Sequence, residues 1–214
     1  MGLKTPQGFL VQLDLAEVHS ADGPDWLPPE GHIYAFYDSE AGGLADQVSV
    51  VFDAALPGPA VTPPSALPGK LRFPERRVRF LPFMSMPSLD WLGVDVGDLD
   101  VSRSELDQLA SMADEPFGDE LQHRIGGYPS EIQEAQMALE CEHLARGLSD
   151  PVWGAEAPPA IARASKEWQL LLQIDSDPAL KMNFGDGGRL YVFIRERHAR
   201  AADFSKTVSL WQTY

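Results

Sequence analysis

The sequence predicts an α+β protein in which two β-rich units flank a helical insertion. Short runs of apolar, aromatic and β-branched residues, bounded by turn residues, lie near both ends of the 214-residue chain. Helix-capping patterns lie between them, near residues 102 and 130. We therefore expect one domain over 1–214, with β units at approximately 8–53 and 168–214 and a helical insertion at approximately 102–147.

The first β unit is predicted from three strand patterns. An apolar run at 9–15 is followed by a turn region that contains Gly31. Aromatic and β-branched residues then predict strands at 32–37 and 47–52. This order gives a strand, a loop and two further strands.

The second β unit contains the densest apolar stretch of the chain. Strands are predicted at 170–174, 189–194 and 207–211. The loop between the first two contains Pro178 and three glycines, which supply the backbone angles that a tight return needs.

The two units resemble each other, because a Gln-x-Asp triplet closes the first predicted strand of each. We interpret the likeness as a diverged internal duplication, with the units packed about a pseudo-twofold axis. Their superposition should align Gln12 with Gln173 and Tyr34 with Tyr191.

The segment between the first unit and the insertion has two parts. Residues 54–70 are rich in proline, glycine and alanine, and we interpret them as a linker or as a segment that follows the protein surface. Residues 71–86 suggest a strand that prolines confine to a sheet edge. The arginines of this part are Arg72, Arg76, Arg77 and Arg79. They could form an anion site or pair with the acidic stretch that follows.

The helical insertion begins with an acidic stretch at 90–120. Ser102 and Glu105 form a capping box, which predicts a helix from 103 to about 112. Most of the carboxylates are expected to form a solvated face, because their spacing is not that of a calcium loop. A second helix is predicted from 129 to about 146, stopping at Gly147. Cys141 falls on its apolar face, as a small buried hydrophobe.

Composition narrows the classes of function. The net charge of −15 disfavours binding to nucleic acid or an anionic membrane and allows a basic protein partner, although acidity can also be an ordinary property. The single cysteine permits no intrachain disulfide and favours a reducing compartment. No apolar run reaches the roughly 20 residues of a membrane helix, and no secretion signal is evident, so we expect a cytoplasmic protein.

Several motifs together resemble a known family. They are the Gln-x-Asp strand end with M-N-F-G-D-G-G and an aromatic strand, H-R-I-G-G-Y-P at 123–129 with Gln133, and the closing W-Q-T-Y. The chain is similar to the YwqG-like family of bacterial proteins, domain of unknown function 1963. This resemblance implies a fold dominated by antiparallel β-structure and brings no established activity. Family members usually carry a further stretch before the first strand, which we expect to be missing here.

The predicted loop before the second helix contains the strongest catalytic candidates. His123 could act as a general base and Arg124 as an anion clamp, with the amides of Gly126 and Gly127 near a helix start. Alternatively, His123 and Tyr128 pin the loop to the sheet by hydrogen bonds. We prefer this second interpretation, because no motif for a serine or cysteine nucleophile, a zinc protease or a phosphate-binding loop accompanies them.

The loop of the second unit contains several oxygen donors. Asp175, Asp177, Asn183 and Asp186 could bind a hard cation. Such residues more often bond backbone amides in turns, and Asp14 repeats Asp175 without the rest of the set. We therefore predict a structural role, no metal and no cofactor. The residues predicted to bind a ligand or partner are Gly126, Gly127, Tyr128, Gln133, Gln173, Asp175, Asn183 and Asp186.

Two classes of function remain open. The first is a non-enzymatic protein-binding or regulatory module, with an immunity-like role as one form. The second is a hydrolase or anion-binding transferase that uses the loop at 123–128. The position of His123, in a concave pocket or flat against apolar side chains, should separate them.

Overall fold

The computed structural model describes residues 6–39, 47–87, 91, 101–102, 104–105, 108, 123–133, 136–148 and 157–214. These residues form an α+β fold that is mainly antiparallel β-structure, as predicted. Its strands are β1 (Gly8–Asp14), β2 (His32–Tyr37), β3 (Val48–Asp53), β4 (Arg124–Ile125), β5 (Trp168–Asp175), β6 (Arg189–Arg195) and β7 (Val208–Gln212). Sheet 1 has the order β1-β2-β3, and sheet 2 has the order β4-β5-β6-β7.

The described helices are short. They are α1 (Leu15–Ser20), α2 (Met137–Ala145), α3 (Pro159–Ser165) and α4 (Glu196–Arg200). Asp14 ends β1 and caps α1, because its carboxylate accepts a bond from the Ala16 amide at 2.9 Å. None of the described helices has the length and apolar character needed to cross a membrane.

Two cores lie on the two faces of sheet 2. The first core is shared by both sheets, through Leu13 and Ile33 of sheet 1 and Leu190 and Val192 of sheet 2. The second core lies on the other face of sheet 2, where α2 packs. Strands β5 and β6 are therefore buried on both faces, which explains their continuous apolar sequence.

The pairing registers of the two sheets correspond. Gln12 lies opposite Tyr34, as Gln173 lies opposite Tyr191. Each first strand has its irregularity at the same place, between Phe9 and Val11 in β1 and between Leu170 and Leu172 in β5. An origin of the two units by duplication stays a prediction.

The strand predicted at 71–86 is absent, and this part of the prediction is wrong. After a single 3-10 turn at Gly69–Leu71, residues 72–87 have no regular secondary structure. Pro74, Pro82 and Pro87 have no N–H group for a sheet ladder. Residues 72–87, here called the strap, are held against the first core by Phe73 and Phe80.

The second predicted helix begins later than expected. Helix α2 starts at Met137, not at 129. Before it, the amides of Ser130 and Ile132 donate hydrogen bonds to side chains of sheet 2 instead of taking part in a helix. Its end was predicted correctly. Gly147 has φ +63°, and the Leu148 amide bonds the His143 carbonyl at 2.9 Å in a Schellman arrangement.

The acidic stretch at 90–120 and the helix predicted at 103–112 lie mostly outside the described residues, and so does any pairing of this stretch with the strap arginines. The capping box itself is present. The Ser102 amide donates to the Glu105 carboxylate at 2.8 Å, and the Glu105 amide donates to the Ser102 hydroxyl at 3.3 Å. The bonds from Ser102 lower the pKa of Glu105.

Candidate functional site

A cavity of about 710 Å³ lies between the edges of the two sheets. Strand β1 lines one side, and β4 and β5 line the other. Residues 21–26 and the strap also contribute to the lining. Most of the lining side chains are apolar, including Leu10, Leu13, Trp26, Leu172 and Ile174. This size and character are those of small-molecule and side-chain binding pockets.

His123 lies in this cavity, with 39% of its side chain exposed. Its Nδ1 atom accepts a hydrogen bond from the Asp175 amide at 3.2 Å. A neutral imidazole whose Nδ1 is an acceptor carries its proton on Nε2. The Nε2 atom lies 3.8 Å from the Asp177 carboxylate. In this arrangement His123 can donate a hydrogen bond to a ligand, while its acceptor nitrogen is occupied.

Arg124 opens β4 and also lines the cavity. Its Nη1 atom donates to the Tyr128 carbonyl at 2.8 Å. Its guanidinium lies 5.1 Å from the ring centroid of Phe83, in cation–π geometry. These contacts join β4, the following loop and the strap, so an anion would have to compete with them.

Gly126 and Gly127 make a turn that no other residue type could make without strain. Their φ angles are +70° and +71°. A Cβ atom on Gly126 would lie 2.2 Å from Pro24 Cγ, and one on Gly127 would lie 2.4 Å from Ser85 Oγ. The two glycines therefore allow the end of β4 to lie close to Pro24, in the loop after α1, and to Ser85 of the strap.

The backbone amides of this loop are largely used within the protein. Gly126 donates to the Leu171 carbonyl at 3.3 Å, and Tyr128 donates to Ser85 Oγ at 2.9 Å. Ser130 donates to the Gln173 side chain at 2.9 Å. Because α2 begins only at Met137, the loop does not provide the helix start that was predicted to hold an anion.

Two glutamines of sheet 2 hold the segment that follows. Gln173 is only 1% exposed. The Gln212 side chain accepts bonds from the amides of Ile132 and Gln133 at 2.9 and 3.1 Å. The Gln133 side chain donates to the Thr213 carbonyl at 3.0 Å. Gln212 was not predicted as a site residue, although it belongs to the closing W-Q-T-Y motif.

The oxygen donors of the β5–β6 loop do not converge. Asp175 pairs with Arg189 across the strands at 2.6 Å. Asp177, rather than Asp175, fixes the turn. Its carboxylate accepts hydrogen bonds from the amides of Ala179 and Leu180. Asn183 and Asp186 lie on the surface. Across the described part of the chain, no group of three or more His, Cys, Asp or Glu residues is placed to hold a metal ion.

A buried carboxylate on the far face of sheet 2 was not predicted. Glu142 of α2 is 0% exposed. It accepts hydrogen bonds from Trp168 Nε1 at 3.0 Å, from Arg146 Nε at 2.5 Å and from Arg195. Burial alone would raise the pKa of Glu142, but these three donors outweigh it and lower the pKa. The cluster attaches α2 to β5 and β6.

Cys141 lies beside this cluster, fully buried in the second core. Burial raises the pKa of its thiol well above the ordinary value. A buried thiol with a raised pKa is unreactive, as the sequence predicted for this residue.

Residues 2–213 match the family described as a domain of unknown function (DUF1963), and the chain belongs to that family. No curated protein matches the chain.

Proposed function

We propose that this member of the DUF1963 family is a non-enzymatic protein-binding or regulatory module whose binding site is the cavity between β1 and β4. The observation that carries the proposal is the combination of a mostly apolar lining with polar groups already bonded within the protein. Such a cavity suits the capture of apolar groups.

The hydrogen bonding of His123 favours binding over hydrolysis. A general base needs a free acceptor nitrogen within reach of the proton it removes. Nδ1 of His123 already accepts from the Asp175 amide, and Nε2 carries the proton. The Ser85 hydroxyl also lines the cavity and accepts a hydrogen bond from the Tyr128 amide. It makes no hydrogen bond with His123, so these two described residues do not form a nucleophile–base pair.

Charge indicates the class of partner. The chain carries a net charge of −15. Asp22 and Asp25 line the cavity together with Arg79 and Arg124, so the charge of the whole chain, not that of the cavity, indicates the partner. A basic protein would be attracted over long range and an acidic one repelled. The single cysteine fits a reducing compartment, so we place this binding function in the cytoplasm, where a regulatory or immunity-like role is open to it.

An uncharged fluorescent probe tests the site. N-phenyl-1-naphthylamine should bind the wild-type protein at one site per chain. Ala21→Trp places an indole in the cavity and should weaken binding at least tenfold, while Ala60→Trp, on the exposed linker, should leave it unchanged. Equal affinities in all three proteins, each shown to be folded by its melting temperature, would contradict the proposal.

One observation favours the alternative of a hydrolase or anion-binding transferase. His123 and Arg124 line the same cavity, and His123 is partly exposed. Nitrophenyl esters and phosphates would reveal such an activity. Turnover by the wild-type protein that is lost in His123→Gln would support an enzyme. Glutamine is chosen because its side chain can still accept a hydrogen bond from the Asp175 amide. Equal rates in both proteins would support the binding function.

A further inference from the structure

The outer edge of β1 is open in the part of the chain that the structure describes. Among the described strands, β1 is the terminal strand of sheet 1 and pairs with β2 alone. No backbone hydrogen bond between the described residues joins 8–14 to a segment on the other side of the strand. The strap passes the cavity beside this edge but does not pair with it. An open strand edge is a template for an added strand.

The corresponding edge of β5 is occupied within the protein. There, β4 pairs with Leu172 and Gln173. Val11 and Gln12 hold the corresponding places in β1, because Gln12 and Gln173 both lie opposite a tyrosine of the neighbouring strand. Sheet 2 therefore shows that an extended segment fits beside this position of the unit, and no described segment pairs at the corresponding place of sheet 1.

The cavity lies next to the open edge. Leu10, Val11 and Leu13 of β1 line it. A strand added to β1 would direct alternate side chains to opposite sides. One set would enter the apolar cavity and the other would face solvent. Backbone bonds would then provide affinity and the cavity would provide selectivity.

Charge near this edge favours a basic segment. Asp14, Glu17 and Asp22 lie along β1, α1 and the loop that follows. Arg77 and Arg79 of the strap oppose them in part. The net charge of the whole chain, which includes these residues, is −15. Lysine or arginine on the solvent side of an added strand would find complementary charge there.

We propose that the outer edge of β1 takes up an extended basic segment of a partner protein by strand addition. Apolar residues at alternate positions of that segment fill the cavity, and lysine or arginine residues lie between them. The inference rests on the proposed binding function and adds to it the mode of binding and the chemistry of the partner.

Synthetic peptides of ten residues test the inference, with the 214-residue protein in fluorescence and hydrogen-exchange measurements. The first peptide alternates lysine and valine, the second replaces lysine with glutamate, and the third replaces valine with serine. The fourth is the lysine–valine peptide with every second amide N-methylated, in both frames. The lysine–valine peptide should bind and displace N-phenyl-1-naphthylamine. The glutamate peptide, the serine peptide and the N-methylated peptide of one frame should each bind at least tenfold more weakly, because only one frame places methyl groups against β1. Bound peptide should slow amide exchange in 8–14 at least tenfold and leave 208–212 unchanged.

Protein variants test the charge component. Asp22→Asn should weaken the lysine–valine peptide several-fold, because asparagine tolerates the positive φ of +57° at this position but carries no charge. Asp53→Asn, at the exposed end of β3, is the matched control and should bind as the wild type does.

Each outcome separates the inference from the function on which it rests. If the N-methylated peptides of both frames bind as tightly as the parent, strand addition is overturned, and glutamate peptide that binds equally would overturn the basic specificity. If no peptide binds while the fluorescent probe still occupies the cavity, the inference fails and the proposed function stands. If neither peptides nor probe bind, both fail.

Discussion

At the scale of single residues, the most consequential group is the Glu142 carboxylate. It lies fully buried, yet three donors reach it from α2, β5 and β6. Burying a charge costs several kcal/mol of folding free energy unless the charge is well paired. Removing the Glu142 carboxylate would leave the Arg195 guanidinium without its main acceptor. The residue therefore joins the helix to the sheet chemically as well as by packing.

Glu142→Gln should lower the free energy of unfolding by about 2 kcal/mol. The expected loss is less than for a fully buried pair because 16% of the Arg195 side chain and 45% of the Arg146 side chain are exposed. Urea denaturation measures it. Glu196→Gln, which breaks the exposed pair with Arg200 within α4, should change stability by less than about 0.5 kcal/mol. Equal effects of the two substitutions would show that the buried cluster contributes nothing special.

The same carboxylate should make stability depend on acid pH. The pKa of Glu142 is lower in the folded protein than the value of about 4.3 for an unfolded chain. The unfolded state therefore binds the proton more tightly, and this contribution is complete above about pH 4.3 and declines as the pH falls through the folded pKa. The stability difference between wild type and Glu142→Gln should shrink over that acid range. A difference that stays constant from pH 7 to pH 3 would contradict this account.

At the scale of elements, buried glutamines decide where a loop ends and a helix begins. The side chains of Gln173 and Gln212 accept hydrogen bonds from backbone amides within 130–133, namely those of Ser130, Ile132 and Gln133. If α2 began earlier, these amides would form its first turn. Gln12 serves as a control for Gln173. It belongs to the other Gln-x-Asp triplet and holds the same register position in sheet 1, but it is exposed.

Gln173→Ala should cost about 1–3 kcal/mol of unfolding free energy, because the Ser130 amide loses its acceptor. Gln12→Ala should change stability by less than about 0.5 kcal/mol. Amide exchange at Ser130 should accelerate in the first variant alone. If both alanine variants are equally stable, the buried glutamine does not hold the loop.

The strands could be predicted from the sequence, and most contacts of the site could not. Alternation and β-branched residues placed six of the seven described strands within about two residues, whereas β4 has only two residues and carries no pattern. The prolines of the strap were read as marking an edge strand, although they remove the donors that a strand needs. The role of Gln173 depends on a partner 43 residues away, which no local pattern contains.

At the scale of the whole molecule, the cavity lies where the two sheets, which share the first core, end in their terminal strands β1 and β4. β1 and β4 lie on its two sides, and the glycine turn after β4 brings the strap and the loop after α1 against it. The catalytic candidates His123 and Arg124 thus lie at the cavity, but their hydrogen bonds serve the fold. This arrangement supports the proposed binding function rather than a catalytic one.

The most direct test of the binding function is methyl NMR of the protein titrated with N-phenyl-1-naphthylamine. The account predicts saturable shifts and intermolecular NOEs at the methyl groups of Leu10, Leu13, Leu172 and Ile174, which line the cavity. The methyl groups of Val208 and Leu210, in the second core, should not respond. Shifts centred on the second core, or no saturable shift at the cavity methyl groups, would contradict the central claim.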